Sequence, residues 1–417
     1  MATCKLSRLS NPDILKRIEP TRLVRFLSPY RDYLLRRGMA FGEVPLDYEK
    51  LASVLMSPGE GLPNEMVTAL FMVDAVADED AMERLVETAQ KRAVILDVGH
   101  DPSPADVAVA LWLAAPALLE EGQAEIAVHR VKRFEYYSGA LRRSRDFPDF
   151  SQAKLDEIAR RLKVFFAERK KSATARVFAF QSRDKLHLAI RHGSAMRREG
   201  SVTDDGKSST AVFRPEIHDV LAYDRGMDVL GLKAGSMAER AIYRDVIGDV
   251  LFGHSAYFDT PFNITLAPLS ERGPEVLNCE DVPGMASTKL VEICRVIGGA
   301  YRQRQINQAT DLFAAIGDDW RNRLKSSMLA SVKFEVRLGD GSAKRCRKVT
   351  LAKPNYAKFD RDDEAEIIEF WLRRRGFLPE PAEGKHNGRI STSVVASADR
   401  TPAPIDAALR MATPPAE

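Results

Sequence analysis

The chain has 417 residues, with 62 Lys+Arg and 59 Asp+Glu, a formal net charge of +3, and 45% hydrophobic, 29% charged and 8% aromatic residues. These proportions are those of a globular protein, which excludes wholesale disorder, collagen and long coiled coils. A chain of this length can bury large cores and should divide into two or three domains.

Residues 11–129 read as a run of helices. Asn11-Pro12 suits an N-cap and first turn, and Leu23, Phe26, Leu27, Tyr30 and Leu34 continue at helical spacing until Gly38. Further helices are expected from Asp47, from Pro63, over 78–90 and from Ser103-Pro104, together a compact bundle with acidic exposed faces. The spacing of Leu155, Ile158, Ala159, Leu162, Phe165 and Phe166 predicts an amphipathic helix over 151–171 with Arg160, Arg161, Lys170 and Lys171 off its apolar stripe.

The apolar period then changes to two. Segments 176–181, 186–191, 210–214, 218–223 and 228–233 read as strands of an antiparallel meander, and Ser236-Met-Ala-Glu239 is a capping box that opens another helix. Residues 262–282 look extended. After them comes a possible strand–strand–helix duplication: strands 288–296 and 300–306 with a helix from Asn307, then strands 331–338 and 344–352 with a helix from Asp360 that closes at Arg373-Arg374-Arg375-Gly376. From Pro379 the chain is poor in large apolar residues and reads as a flexible tail.

The expected fold class is therefore α+β. It comprises an N-terminal helical domain (1–148), a central domain of antiparallel sheet plus helices (149–258), a C-terminal antiparallel sheet with helices on one face (259–378), and a tail (379–417).

No window of 18 consecutive apolar residues exists, so no membrane partner is expected, and the basic N-terminus lacks the apolar core of a secretory signal. Cys4, Cys279, Cys294 and Cys346 are scattered without a CxxC pair, which fits a reducing cytoplasm and disfavours a disulfide framework or a thiolate zinc site. The Arg- and Ala-rich composition suits a bacterial protein. No pattern resembles a known family. The glycine-rich nucleotide motifs, HExxH, the kinase set and GxSxG are all missing, so no cofactor or metal is assigned and a non-catalytic role is expected.

Charge is segregated along the chain. Residues 40–129 hold four basic against seventeen acidic residues, and residues 130–198 nineteen against seven. A dense basic block suits phosphates or an acidic partner protein, unless it simply faces the acidic block within the molecule. Three stretches are candidates for contact with DNA or RNA. In 130–145, Arg130, Lys132, Arg133, Arg142, Arg143 and Arg145 interleave with Phe134, Tyr136 and Tyr137, a pattern of phosphate-neutralising cations and base-stacking rings. The others are the basic side of helix 151–171 and the hairpin bearing Arg337, Lys344, Arg345, Arg347, Lys348 and Lys353, which could act as a wing on a duplex.

The alternatives are a scaffold subunit that docks other proteins of a bacterial multi-protein system through these charged blocks, and a metal-dependent nuclease or hydrolase. For the second, His187, His192, Glu216, His218 and Asp219 would converge on the central sheet. Asp219 and Lys233 invite comparison with PD-(D/E)xK nucleases, but Gly231 stands where a carboxylate is needed. Asp97, His100 and Asp101 read as turn chemistry, and Cys294 as core.

Overall fold

The computed structural model describes residues 6–40, 46–56, 59, 61–140, 147–182, 184–202, 206–297, 301, 303–324, 329–339, 345–361 and 364–379. The tail expected from 379 lies almost wholly outside these residues, as do Arg142, Arg143, Arg145, Lys344 and the turn at Gly298-Gly299. The described chain divides into two compact units, residues 1–126 with 197–213, and 127–196 with 214–379. No described helix is long and apolar enough to cross a membrane.

In the first unit, the Asn11 side chain accepts from the Asp13 amide at 2.9 Å and starts α1 (Pro12–Leu15). The next helices are α2 (Pro20–Leu27), α3 (Arg31–Arg36), α4 (Tyr48–Met56) and α5 (Asn64–Val76). Then come α6 (Glu79–Lys91), capped by Asp78, α7 (Pro104–Ala114), capped by Ser103, and α8 (Pro116–His129), whose last turn belongs to the second unit. Gly38 ends α3 with φ +77°, the left-handed geometry that glycine adopts without a Cβ penalty. Leu23, Phe26, Leu51, Met66, Val73 and Leu111 meet in one core. The buried Asp74 carboxylate accepts from the amides of Ser7, Arg8 and Leu9 at 2.7–2.9 Å, which pins the N-terminal segment to α5.

The second unit holds β1 (Arg133–Ser138), α9 (Gln152–Glu168), β2 (Ala175–Gln181) and β3 (Lys185–Gly193). A separate hairpin follows, β4 (Arg197–Val202) with β5 (Ser208–Phe213), which clusters with the first unit. The chain returns through β6 (Glu216–Asp224), β7 (Val229–Lys233), α10 (Met237–Phe252), β8 (Thr260–Pro261), α11 (Ala267–Arg272), β9 (Met285–Val296) and β10 (Arg304–Gln308). It ends with α12 (Leu312–Ile316), α13 (Trp320–Arg323), β11 (Leu329–Leu338), β12 (Arg345–Ala352), β13 (Tyr356–Lys358) and α14 (Ala365–Arg374). Ten strands form one sheet in the order β10-β9-β11-β12-β13-β1-β7-β6-β3-β2, with β8 paired to β1. Every pairing is antiparallel.

The α+β class holds, and four details differ from expectation. Asn307 does not begin a helix: it lies on β10, and the helix after it is Leu312–Ile316, capped by Asp311. The central and C-terminal sheets are one sheet, because β1, read as the end of the helical domain, pairs with β7 on one side and β13 on the other. The segment 210–214 is not in the meander: β5 pairs only with β4, and β3 passes directly to β6. Within 262–282 the chain forms α11 and a 3-10 turn, since Pro268 sits in a first turn and Thr265 Oγ1 accepts from the Ala267 amide at 3.1 Å.

Two cores lie on opposite faces of this sheet, one at each end. Leu186, Leu188 and Ile190 of β3 pack beneath α9 and α10. Val332, Phe334, Val336 and Leu338 of β11 pack beneath α14. Each core thus leaves the alternate residues of its own strands on the other face.

Candidate functional site

The strand register sorts the basic residues. On the face of β11 opposite its core, Glu292, Lys333, Thr350, Lys358 and Arg133 fall in one row across β9, β11, β12, β13 and β1. The neighbouring row is Lys289, Glu335 and Lys348. At the usual strand spacing the first row spans roughly 19 Å. Lys333 pairs with Glu292 at 2.5 Å, Lys289 with Asp311 at 3.6 Å and Arg337 with Glu335 at 3.5 Å. Arg133, Lys348 and Lys358 are exposed and have no ion pair among the described residues. Lys333 and Lys358 complete this row. Lys358, three residues past the turn that follows β12, could be assigned only once the strand order was known.

The other sequence candidates divide. Arg130 is exposed, just past α8. Lys132 pairs with Asp360 at 2.5 Å, and Arg347 with Asp360 and Glu364 at 3.0 Å. Arg345 lies on β12, with only its backbone described. On α9, Arg160 and Arg161 both bind Glu157 at 2.7 Å and Arg161 also reaches Asp249 at 2.6 Å, while Lys170, just past the end of the helix, is exposed. These two arginines pull the Glu157 carboxyl down to about 2. Lys171 is held by the buried Glu239. Because α9 packs on β2 and α10, its cations do not join the row on β1, β13 and β12.

The aromatic side chains of β1 form no stacking platform. Phe134 is buried, Tyr136 receives a hydrogen bond from Arg361, and Tyr137 points to the opposite face beneath the Arg244 guanidinium at 4.5 Å. Nor does the 331–352 hairpin project as a wing, since β9 and β13 flank it on both sides.

The period of two also splits the proposed histidine cluster. His187 opposes Ala222 on one sheet face, whereas Asp219 opposes Ile190 on the other. His218 faces Arg191 and stands 3.7 Å from Glu216 near the sheet surface. His187, Glu216, His218 and Asp219 therefore do not form one site. What converges is His192, Asp219 and Glu239, all buried, each offering a ligand atom within 4.8 Å of the others. His192 Nε2 lies 3.0 Å from Asp219 Oδ2, Tyr243 donates to the same oxygen at 2.7 Å, and Phe166 stacks on the imidazole at 4.1 Å. Lys171 neutralises Glu239, and Lys233 Nζ sits 3.8 Å from Asp219 Oδ1 while donating to the His218 carbonyl at 2.6 Å. Two lysines already balance the two carboxylates, so the arrangement acts as a buried ion-pair lattice that ties β3, β6, β7 and α10 together.

A cavity of about 250 Å³ lies between the sheet and α14. Phe134, Tyr136 and Phe359 form part of its wall, with Lys185, His187 and Asp224 from the strands and Arg361, Glu369 and Arg373 from the α14 side. Glu369 is buried and meets Arg361 at 2.6 Å, Arg373 at 3.3 Å and Lys185 at 3.4 Å. Burial alone would raise its carboxyl, but the three cations reverse this and hold it down at about 2. The Arg361 guanidinium lies 3.5 Å above Phe359. Burial raises the Asp224 carboxyl and pushes the Tyr136 hydroxyl up to about 12.

Burial, reinforced by Lys185, His129 and Arg361, lowers His187 to about 4. Between that value and the ordinary 6.5 the unfolded chain takes up a proton that the folded chain refuses. Stability present above about 6.5 should therefore fall as the pH drops toward about 4. Urea titrations at pH 7 and 4.5 should show His187→Gln losing roughly 1–2 kcal/mol less than the parent, a figure discounted for partial exposure. An equal loss in both proteins would place the imidazole in water.

The chain matches no protein-family model and no curated protein.

Proposed function

We propose that the chain is a non-catalytic cytosolic subunit that binds the sugar–phosphate backbone of nucleic acid across the exposed sheet face of its second unit. The observation that supports this is the placement of Arg133, Lys358 and Lys348 on three adjacent strands and one face, without ion-pair partners among the described residues. Cations on two neighbouring rows of one flat face suit regularly spaced phosphates and offer no side-chain set for reading base edges, so binding is largely independent of sequence. An acidic protein partner would meet the same charges, and a competition experiment separates the two.

Fluorescence anisotropy with a short duplex and a short single strand tests this reading. Three phosphate contacts give a salt slope near −3 on duplex, so affinity should fall roughly 40-fold between 50 and 200 mM salt. Absence of binding at 50 mM, or binding displaced by polyglutamate as readily as by DNA, refutes the nucleic-acid reading.

A further inference from the structure

The cavity under α14 is lined by residues of the second unit alone, and its charges are settled within the chain. Lys185, Arg361 and Arg373 are matched by three carboxylates, Asp224, Glu366 and Glu369. Glu369 meets all three cations, Arg361 also donates to the Tyr136 hydroxyl, and Asp224 accepts from the Met227 amide at 2.9 Å. A charged guest would shed its water here and find no free counter-ion. Much of the remaining wall is apolar, from Val128, Met227, Val229, Phe262, Ala357 and Leu378. One polar group in it is left over: the half-buried His187 imidazole makes no hydrogen bond among the described residues. Burial keeps that ring neutral, with one nitrogen a donor and the other an acceptor, and a hydroxyl can answer either. An apolar cavity of roughly 150 Å³ takes one benzene ring. At about 250 Å³ this one has room for roughly ten non-hydrogen atoms.

We infer that this cavity binds a neutral, mainly apolar small molecule of about ten non-hydrogen atoms that carries one hydroxyl. The hydroxyl bonds a ring nitrogen of His187, and the carbon skeleton lies against the apolar wall. Removing that skeleton from water supplies the affinity, and the single hydrogen bond fixes its orientation. The inference is independent of the backbone-binding face, because Arg133, Lys348 and Lys358 do not line the cavity.

Isothermal titration of the full chain at pH 7 with 2-naphthol and 1-octanol tests it, with 2-naphthoate and 2-naphthylmethylammonium as charged comparisons. At least one alcohol should bind one-to-one, and at least tenfold tighter than either ion. His187→Phe removes both ring nitrogens and keeps a flat side chain in place, so it should weaken binding of the tighter alcohol at least threefold. Naphthalene, which has no hydroxyl, should bind the parent and His187→Phe within about twofold of each other. Should His187→Phe fail to fold, Ala222→Leu, which fills the cavity opposite His187 without touching its charges, should weaken alcohol binding at least tenfold. If neither alcohol binds, or a charged comparison binds as tightly, or naphthalene loses as much as the alcohol in His187→Phe, or either folded variant binds the alcohol like the parent, the inference is overturned.

Discussion

Reversing the charge of Arg133, Lys348 and Lys358 together is expected to weaken duplex binding at least 100-fold at 50 mM salt and to leave the fold intact. Each reversal removes a phosphate contact and puts a like charge against the backbone. A 100-fold change needs only about 2.8 kcal/mol over three sites. The salt slope of any residual binding should fall by about three. All three side chains are exposed, and substitutions at such positions move stability by roughly 0.5 kcal/mol or less. Arg160→Glu is the informative control. Arg160 is already bound to Glu157 and sits on α9, away from the row, so its reversal should change affinity less than threefold. If Arg160→Glu weakens binding as much as the triple variant does, the contact surface is α9 and the sheet-face assignment fails.

Local rules carried the secondary structure further than they carried the site. Asn11, Ser103, Ser236 and Gly376 mark helix ends because caps are set by residues within one turn. The alternation of Val332, Phe334, Val336 and Leu338 gives a half-buried strand for the same reason. Which strands become neighbours is decided by long-range packing. That is why the mixed RFEYYS sequence of β1 looks locally like a basic surface segment, although it is the strand that joins both halves of the sheet. The cation row depends on that join, since Lys358 meets Arg133 only through it. The histidine cluster failed by parity: His187 and His192 are five residues apart, an odd number, and so face opposite sides. Glu369 and Arg361 of the cavity come from a helix and a loop more than 170 residues beyond Lys185, a separation that no local pattern encodes.

Truncating Asp219 is expected to be the most destabilising single change outside the apolar cores. Asp219→Ala leaves the Tyr243 hydroxyl and the His192 imidazole buried without their acceptor, and Lys233 without the carboxylate beside it. Removing one partner from a buried ionic network costs roughly 3–5 kcal/mol. For a unit of this size that lowers Tm by about 6–20 °C. Asp219→Asn retains one acceptor oxygen and the volume of the side chain, so its loss should be smaller, roughly 1–3 kcal/mol. His192→Ala made in the Asp219→Ala background should cost less than in the parent, because the two side chains share one contact, with a coupling of roughly 0.5–3 kcal/mol. Nucleic-acid affinity of the folded variants should stay within threefold of the parent, since none of these groups lies on the cation row. Thermal unfolding and anisotropy together decide the matter. A stable Asp219→Ala protein that has lost binding would turn the cluster from a buried brace into part of the functional surface.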